Sequence, residues 1–137
     1  MKGYKNDIET TVLENENFRK VLYTSDHMQL VVMSLSPGEE IGFETHSETD
    51  QFFRFEEGKA KCIIDETEYE AKSGDIVIVP AGAKHNIINS GADELKLYTI
   101  YSPPHHKDGI VQATKAEAEN SNEEFDGKTT EPLAALL

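Results

Sequence analysis

From residue 8 to residue 101 the chain runs in short stretches rich in apolar, β-branched and aromatic residues, each closed by turn-forming residues. Alternation with period 2 over about four to eight residues is the mark of a half-buried strand. Residues 10–13 and 18–24 are rich in β-branched and aromatic side chains and predict strands, with a turn at Ser25-Asp26. A strand is predicted over residues 27–35 and stopped by Pro37-Gly38, where proline presets φ and glycine accepts the left-handed conformation. Further strands are predicted over 41–46, 51–57, 59–65, 67–71, 76–79, 84–89 and 95–101. The turns between them include Asp65-Glu66, Ser73-Gly74-Asp75 and Pro80-Ala81-Gly82.

No helical period interrupts this series, so the crossover helices of a parallel α/β fold are missing. Many short strands at near-regular spacing predict an all-β sandwich, jelly roll or small barrel. Pro103-Pro104 ends the strand region. Beyond it, Thr114 with Glu117 three residues later is a helix-start signal, which predicts a short helix over 114–120. Residues 121–137 are polar and acidic until the apolar end Leu133-Ala134-Ala135-Leu136-Leu137, and are expected to form a tail or arm. The division expected is a β body over 8–104 and an extension over 105–137, partly helical or flexible.

Composition narrows the picture. A chain of 137 residues suits one domain. At 37% apolar residues the core is lean, which favours burying further surface between two copies, so a homodimer is expected. Asp and Glu number 26 against 13 Lys and Arg, a net charge of -13. Such a surface repels phosphate backbones and anionic headgroups, which argues against nucleic acid and membrane and leaves a small molecule as the expected partner. Cys62 is the single cysteine, so no intrachain disulfide can form; in its apolar strand it is expected to be a small buried hydrophobe. A free thiol, no apolar leader run and no stretch of about 18 apolar residues lead us to expect a cytoplasmic protein.

The candidate chemistry sits at strand starts. Glu44 and His46 are two apart, so in a strand both point to one face. Gln51 opens the next strand and shares a face with Phe53 and Phe55, while Phe52 and Arg54 share the other and are candidate dimer contacts. His85 follows the Pro80/Gly82 turn. Two imidazoles and a carboxylate suit Fe(II), Mn(II), Co(II), Ni(II) or Zn(II), and an amide oxygen can fill a fourth position. Spacing alone leaves the plainer alternative standing, since polar strand residues usually face water.

Two motifs add to this. Gly38 is followed after five residues by Glu44, then by His46, after four more by Gln51, and after six more by Gly58. Gly74, Pro80, Gly82, His85 and Asn89 form a second spaced series. The chain thereby resembles the cupin family over residues 8–104. The second series matches the family pattern throughout. The first departs twice, with Glu44 where a histidine would stand and Gln51 where a glutamate would. The resemblance implies a double-stranded β-helix, a jelly-roll-like barrel, with one divalent metal ion held by Glu44, His46, Gln51 and His85. The two departures leave the formal ligand charge unchanged, as retuning of a site would.

Function is less constrained, because one fold hosts many chemistries. The leading expectation is an isomerase-like enzyme acting on a small sugar-like or hydroxy/carbonyl substrate, similar to the phosphomannose-isomerase-like cupins. A metal-dependent dioxygenase and a non-catalytic small-molecule-binding module are the alternatives. Glu48 or Asp50 would serve as base only if their corner folds inward. Arg54 and Lys84 are too few to mark a phosphosugar site. His105-His106 is expected to be a surface pair, with the segment 102–109 as a possible lid. Phe43, Phe53 and Phe55 are expected in the core, and His27 is given no role.

Overall fold

The computed structural model describes residues 1–132; the apolar end 133–137 of the expected tail or arm lies outside the described residues. Within them the chain is mainly β, as the alternation predicts, with ten strands in two sheets. The six-stranded sheet combines β1 (Arg19–Thr24), β2 (Gln29–Leu35), β4 (Asp50–Glu57), β7 (Ile76–Val79), β9 (Leu95–Ser102) and β10 (Val111–Gln112). The four-stranded sheet combines β3 (Glu44–Thr45), β5 (Lys59–Ile64), β6 (Thr67–Lys72) and β8 (Lys84–Asn89). Their orders are β10-β1-β2-β9-β4-β7 and β3-β8-β5-β6, and the pairings are antiparallel.

The core lies between the sheets. Register aligns the inward rows: Val21, Val31, Thr99, Phe53 and Val77 form one, and Gln29, Tyr101, Gln51 and Val79 the next. Phe53, Phe55, Met33, Leu35, Leu95 and Leu97 are at most 1% exposed. Burying each removes roughly 1.5–3 kcal/mol worth of apolar surface from water. Phe43, expected in the core, is instead exposed, because β3 is only two residues long and Phe43 precedes it. Asp65, at φ 49, makes the tight turn between β5 and β6, and its carboxylate accepts from the Lys84 amide.

Two differences from the sequence-based expectation concern the ends. Residues 10–13 belong to a helix, α1 (Ile8–Glu14), not a strand. Asp7 caps it by accepting from the Thr10 amide, and Val12 is its one buried side chain. The helix lies against β4 and β9, and the Asn15 carbonyl at its end accepts from the buried Lys96 ammonium. The predicted second helix is present as α2 (Lys115–Glu119), with Thr114 accepting from the Glu117 amide and Glu117 accepting from the Ala113 amide. The segment after it is a strap rather than a loose arm through residue 132. The Phe125 amide donates to the His105 carbonyl, the Thr130 amide donates to the Thr24 carbonyl while the Thr130 hydroxyl accepts from the Thr24 amide, and Glu131 accepts from the Lys2 and Gly3 amides. Among the described residues no helix is long and apolar enough to cross a membrane.

Candidate metal centre

Glu44 and His85 are register partners on the neighbouring strands β3 and β8, so their side chains leave the same face of the four-stranded sheet. His46 follows directly after β3. Its carbonyl accepts from the Gly82 amide at 2.8 Å, and Gly82, at φ 91, turns the chain into His85. Gln51 comes from β4 in the other sheet, in the inward row with Tyr101 and Val79. The site therefore bridges both layers.

One donor atom each from Glu44, His46 and His85 lies within 4.8 Å of the others. Glu44 Oε2 is 3.1 Å from His46 Nε2, and His85 Nε2 is 3.1 Å from Gln51 Oε1. Donors at about 2.1 Å from one ion and at right angles stand about 3 Å apart, so this spacing suits a shared cation.

The hydrogen-bond chemistry points the same way. His85 Nδ1 faces the Ala83 carbonyl at 3.1 Å; a neutral ring that donates there leaves Nε2 a bare lone pair. Gln51 Nε2 donates to Thr99 Oγ1 at 3.0 Å, which turns its carbonyl oxygen toward His85. In that tautomer two acceptors confront one another in a buried place. Protonating His85 is disfavoured: burial holds its pKa below the usual value, against the raising effect of the Ala83 carbonyl. His46 Nε2 is also buried without a hydrogen bond, although a Glu44 oxygen stands close by. Bare acceptors of this kind are costly unless something positive sits among them. A divalent cation fits, and the His85 N–H to backbone carbonyl bond is the usual way a ligating imidazole is oriented. Burial, the largest influence, pushes the Glu44 carboxyl up, but the nearness of His46, with smaller effects from Arg19 and His105, outweighs it and the net shift is downward.

A second layer covers this cluster. The His105 ring lies 4.2 Å from that of His46 and 5.4 Å from that of Tyr101. His106 is buried, with Nδ1 on Glu123 and Nε2 at 3.2 Å from the Tyr101 hydroxyl. The expected surface pair is therefore packed over the site, because Gln29 reaches it from β2. The Gln29 carbonyl oxygen accepts from the His105 and His106 amides, and its amide nitrogen donates to the His106 carbonyl. Burial lowers the His105 pKa to about 4, helped by repulsion from His106 and His46.

Of the four predicted donors, all come together. Glu48 and Asp50 do not join them: both are exposed, and Asp50 accepts from the Ala81 amide at the surface. His27 is exposed as well, and Lys84 lies over the Phe43 ring. Missing from the sequence reading were Arg19, Gln29, Thr99 and Glu123. Gln29 and Thr99 are polar residues on inward-facing positions of otherwise apolar strands, a readable signal. Glu123 had none, since only the strap's path brings it to His106.

Residues 31–101 match the Cupin domain family, and the chain belongs to that family. It is similar to the uncharacterized protein YrkC of Bacillus subtilis, at 41% identity over 85% of this chain and 66% of that protein. The chain thus spans about 66% of the length of that relative. It is also similar to the uncharacterized protein L612 of Acanthamoeba polyphaga mimivirus, at 40% identity over 86% of this chain and 76% of that protein. Among solved structures, BH2720 from Bacillus halodurans shares 38% identity, with a TM-score of 0.86, over 88% of this chain and 96% of the other.

Proposed function

We propose that this cupin binds one divalent metal ion through Glu44, His46, His85 and the Gln51 carbonyl oxygen, and that it is an isomerase-like enzyme acting on a small hydroxy- or carbonyl-bearing molecule. One observation carries the reading: His85 faces a carbonyl oxygen at 3.1 Å on each ring nitrogen, Ala83 at Nδ1 and Gln51 at Nε2, and a neutral ring has one proton for the two. When bound, the ion supplies Lewis acidity toward a substrate oxygen. The chain's own residues do the rest. Gln51 and Thr99 fix one donor, while the Ala83 carbonyl fixes the tautomer of another. Tyr101 and the His105-His106 segment shield the centre from water. His105, outside the donor set and packed on His46, is the group placed to exchange a proton with a bound molecule. Iron, manganese, nickel, cobalt and zinc all suit this donor set.

Metal analysis of freshly purified protein tests the proposal. About one ion per chain is expected in the wild type, almost none in the double variant His46→Ala/His85→Ala, and reduced occupancy in Gln51→Leu. Unchanged metal content in the double variant would refute the site. Anaerobic interconversion of aldoses and ketoses tests the reaction class. Oxygen consumption with Fe(II) and enediols, in its place, would assign the protein to the dioxygenases.

A further inference from the structure

Arg19 opens β1 and is only 6% exposed. It pairs in register with Met33, a core residue, and with Gln112, so it faces the space between the sheets. Nη1 donates to the Gln112 side chain at 2.9 Å, and Nε is buried without any hydrogen-bond partner. Among the described residues no carboxylate forms an ion pair with it. The other two orphaned buried nitrogens, His46 Nε2 and Arg54 Nε, each lie against a carboxylate oxygen. The Phe18 ring lies 5.3 Å from the guanidinium carbon, and a guanidinium taken from water with that ring and one neutral hydrogen bond is still short of an anionic partner.

Burial is the largest influence on Glu44, Tyr101, His106 and Glu123, and the Arg19 charge is a smaller one that lowers the pKa of each. The Glu44 side chain is 34% exposed, so the centre opens to solvent along that flank. With a divalent ion present, Glu44 and Glu123 leave this region positive by one unit once Arg19 is counted. The chain as a whole carries -13. A planar fork of N–H donors in such surroundings is matched by a carboxylate, which accepts two parallel bonds.

We propose that Arg19 receives a carboxylate of the substrate, so that the molecule bound is a small hydroxy or oxo acid lying between Arg19 and the metal centre. The acid class rests on the metal reading above; the anion-receiving role of Arg19 does not. Substitution at Arg19 removes the preference for an acid over its amide while leaving the metal donors in place.

The test is calorimetric titration of the full chain with malonate and L-lactate against their neutral isosteres malonamide and L-lactamide. Both metal-free and Mn(II)-loaded protein are used. The acids are expected to bind the wild type at least about tenfold more tightly than the amides, as a charge-assisted pair provides. Arg19→Met is expected to bring that ratio near one without metal and to lower it about tenfold with Mn(II). Arg19→Lys should fall between. An acid-to-amide ratio near one in the wild type, absence of acid binding in both states, or a ratio unchanged in Arg19→Met would overturn the proposal. If Arg19→Met melts out, Arg19→Lys serves, and an unchanged ratio there overturns it equally. Failure of Mn(II) to bind would sink the metal reading alone, because the metal-free ratio still reports on Arg19.

Discussion

Gln51 stands where the related pattern has a glutamate, and its neighbour Thr99 sets the orientation of its amide. The Gln51 N–H2 donates to the Thr99 hydroxyl, a bond that an ionised carboxylate could not make, and the donation aims the carbonyl at His85. The negative charge enters from Glu44 on the opposite sheet instead. At the same scale Gly58 is held by two constraints. It has φ 93, and a Cβ there would lie 2.7 Å from the Glu94 carbonyl oxygen and 3.0 Å from the Leu95 Cα. Both neighbours are backbone of β9 and its approach, and cannot step aside. Gly58→Ala is expected to cost about 2–4 kcal/mol of stability. Gly74→Ala, at φ 95 with nothing within 4 Å, is expected to cost about 1–2 kcal/mol from the backbone alone. Urea unfolding of both variants measures the difference; equal costs would show that close approach contributes nothing. Cys62 is buried, and burial, with a smaller effect from Asp75, pushes its thiol up to about 12, so the sequence expectation of an inert core cysteine holds.

Among the elements, the strap after β9 carries the largest consequence. It adds β10 to the sheet edge, lays His105 and His106 over the centre and brings Glu123 to His106. The pH response of the metal-free protein follows from these groups. Burial is the largest effect on both imidazoles and lowers both pKa values, His105 to about 4. Below the ordinary value of 6.5 the unfolded chain therefore takes up protons that the folded chain refuses, so stability falls as the pH drops. Burial raises the Glu123 carboxyl, but bonds from His106 and the Lys107 amide outweigh it and the net shift is downward. Its contribution is present above the ordinary 4.5 and is lost below it, in the same direction. The melting temperature of metal-free protein is expected to be highest near pH 7 and to fall steadily toward pH 4. A flat profile over that interval would show that the strap is not held by these groups. The helix α1 teaches a related lesson: β-branched content in Thr10, Thr11 and Val12 argued for a strand, and the Asp7 cap with Val12 docked on the sheet prevailed.

For the whole molecule, the strong acidity bears on association. The outer face of β4, β7 and β9 exposes Ile76 and Ile78 beside the half-buried Phe52, Tyr98 and Ile100. β7 is also a sheet edge with open backbone groups. Arg54 there is paired with Glu56, so this face lacks the excess of acid found on the chain as a whole. We propose that two copies of the chain meet on it, since it combines exposed apolar side chains with an open strand edge. Light scattering is expected to give twice the chain's 15.3 kDa, and Ile76→Lys/Ile78→Lys is expected to give the monomer. A wild type that stays monomeric at high concentration would refute the pairing.

The strand series, its turns and the spacing of Glu44, His46, Gln51 and His85 were legible in the chain, because period 2 and turn chemistry are local properties. The C-terminal helix was legible for the same reason, through Thr114 and Glu117. Which donor faces which was not legible. That depends on the register of β3 with β8 and on the meeting of two sheets, and register is set by core packing distributed over the whole chain. The surroundings of Arg19, Gln29 and Glu123 escaped for the same reason: each acts on a residue 77 or more positions away, or on a strap whose course no local pattern encodes. By itself the sequence determined the fold class and the spacing of four candidate donors. Only the tertiary structure decided that His105 and His106 cover them and that an unpaired guanidinium looks on from β1, because burial is a property of packed elements and not of a residue's neighbours along the chain.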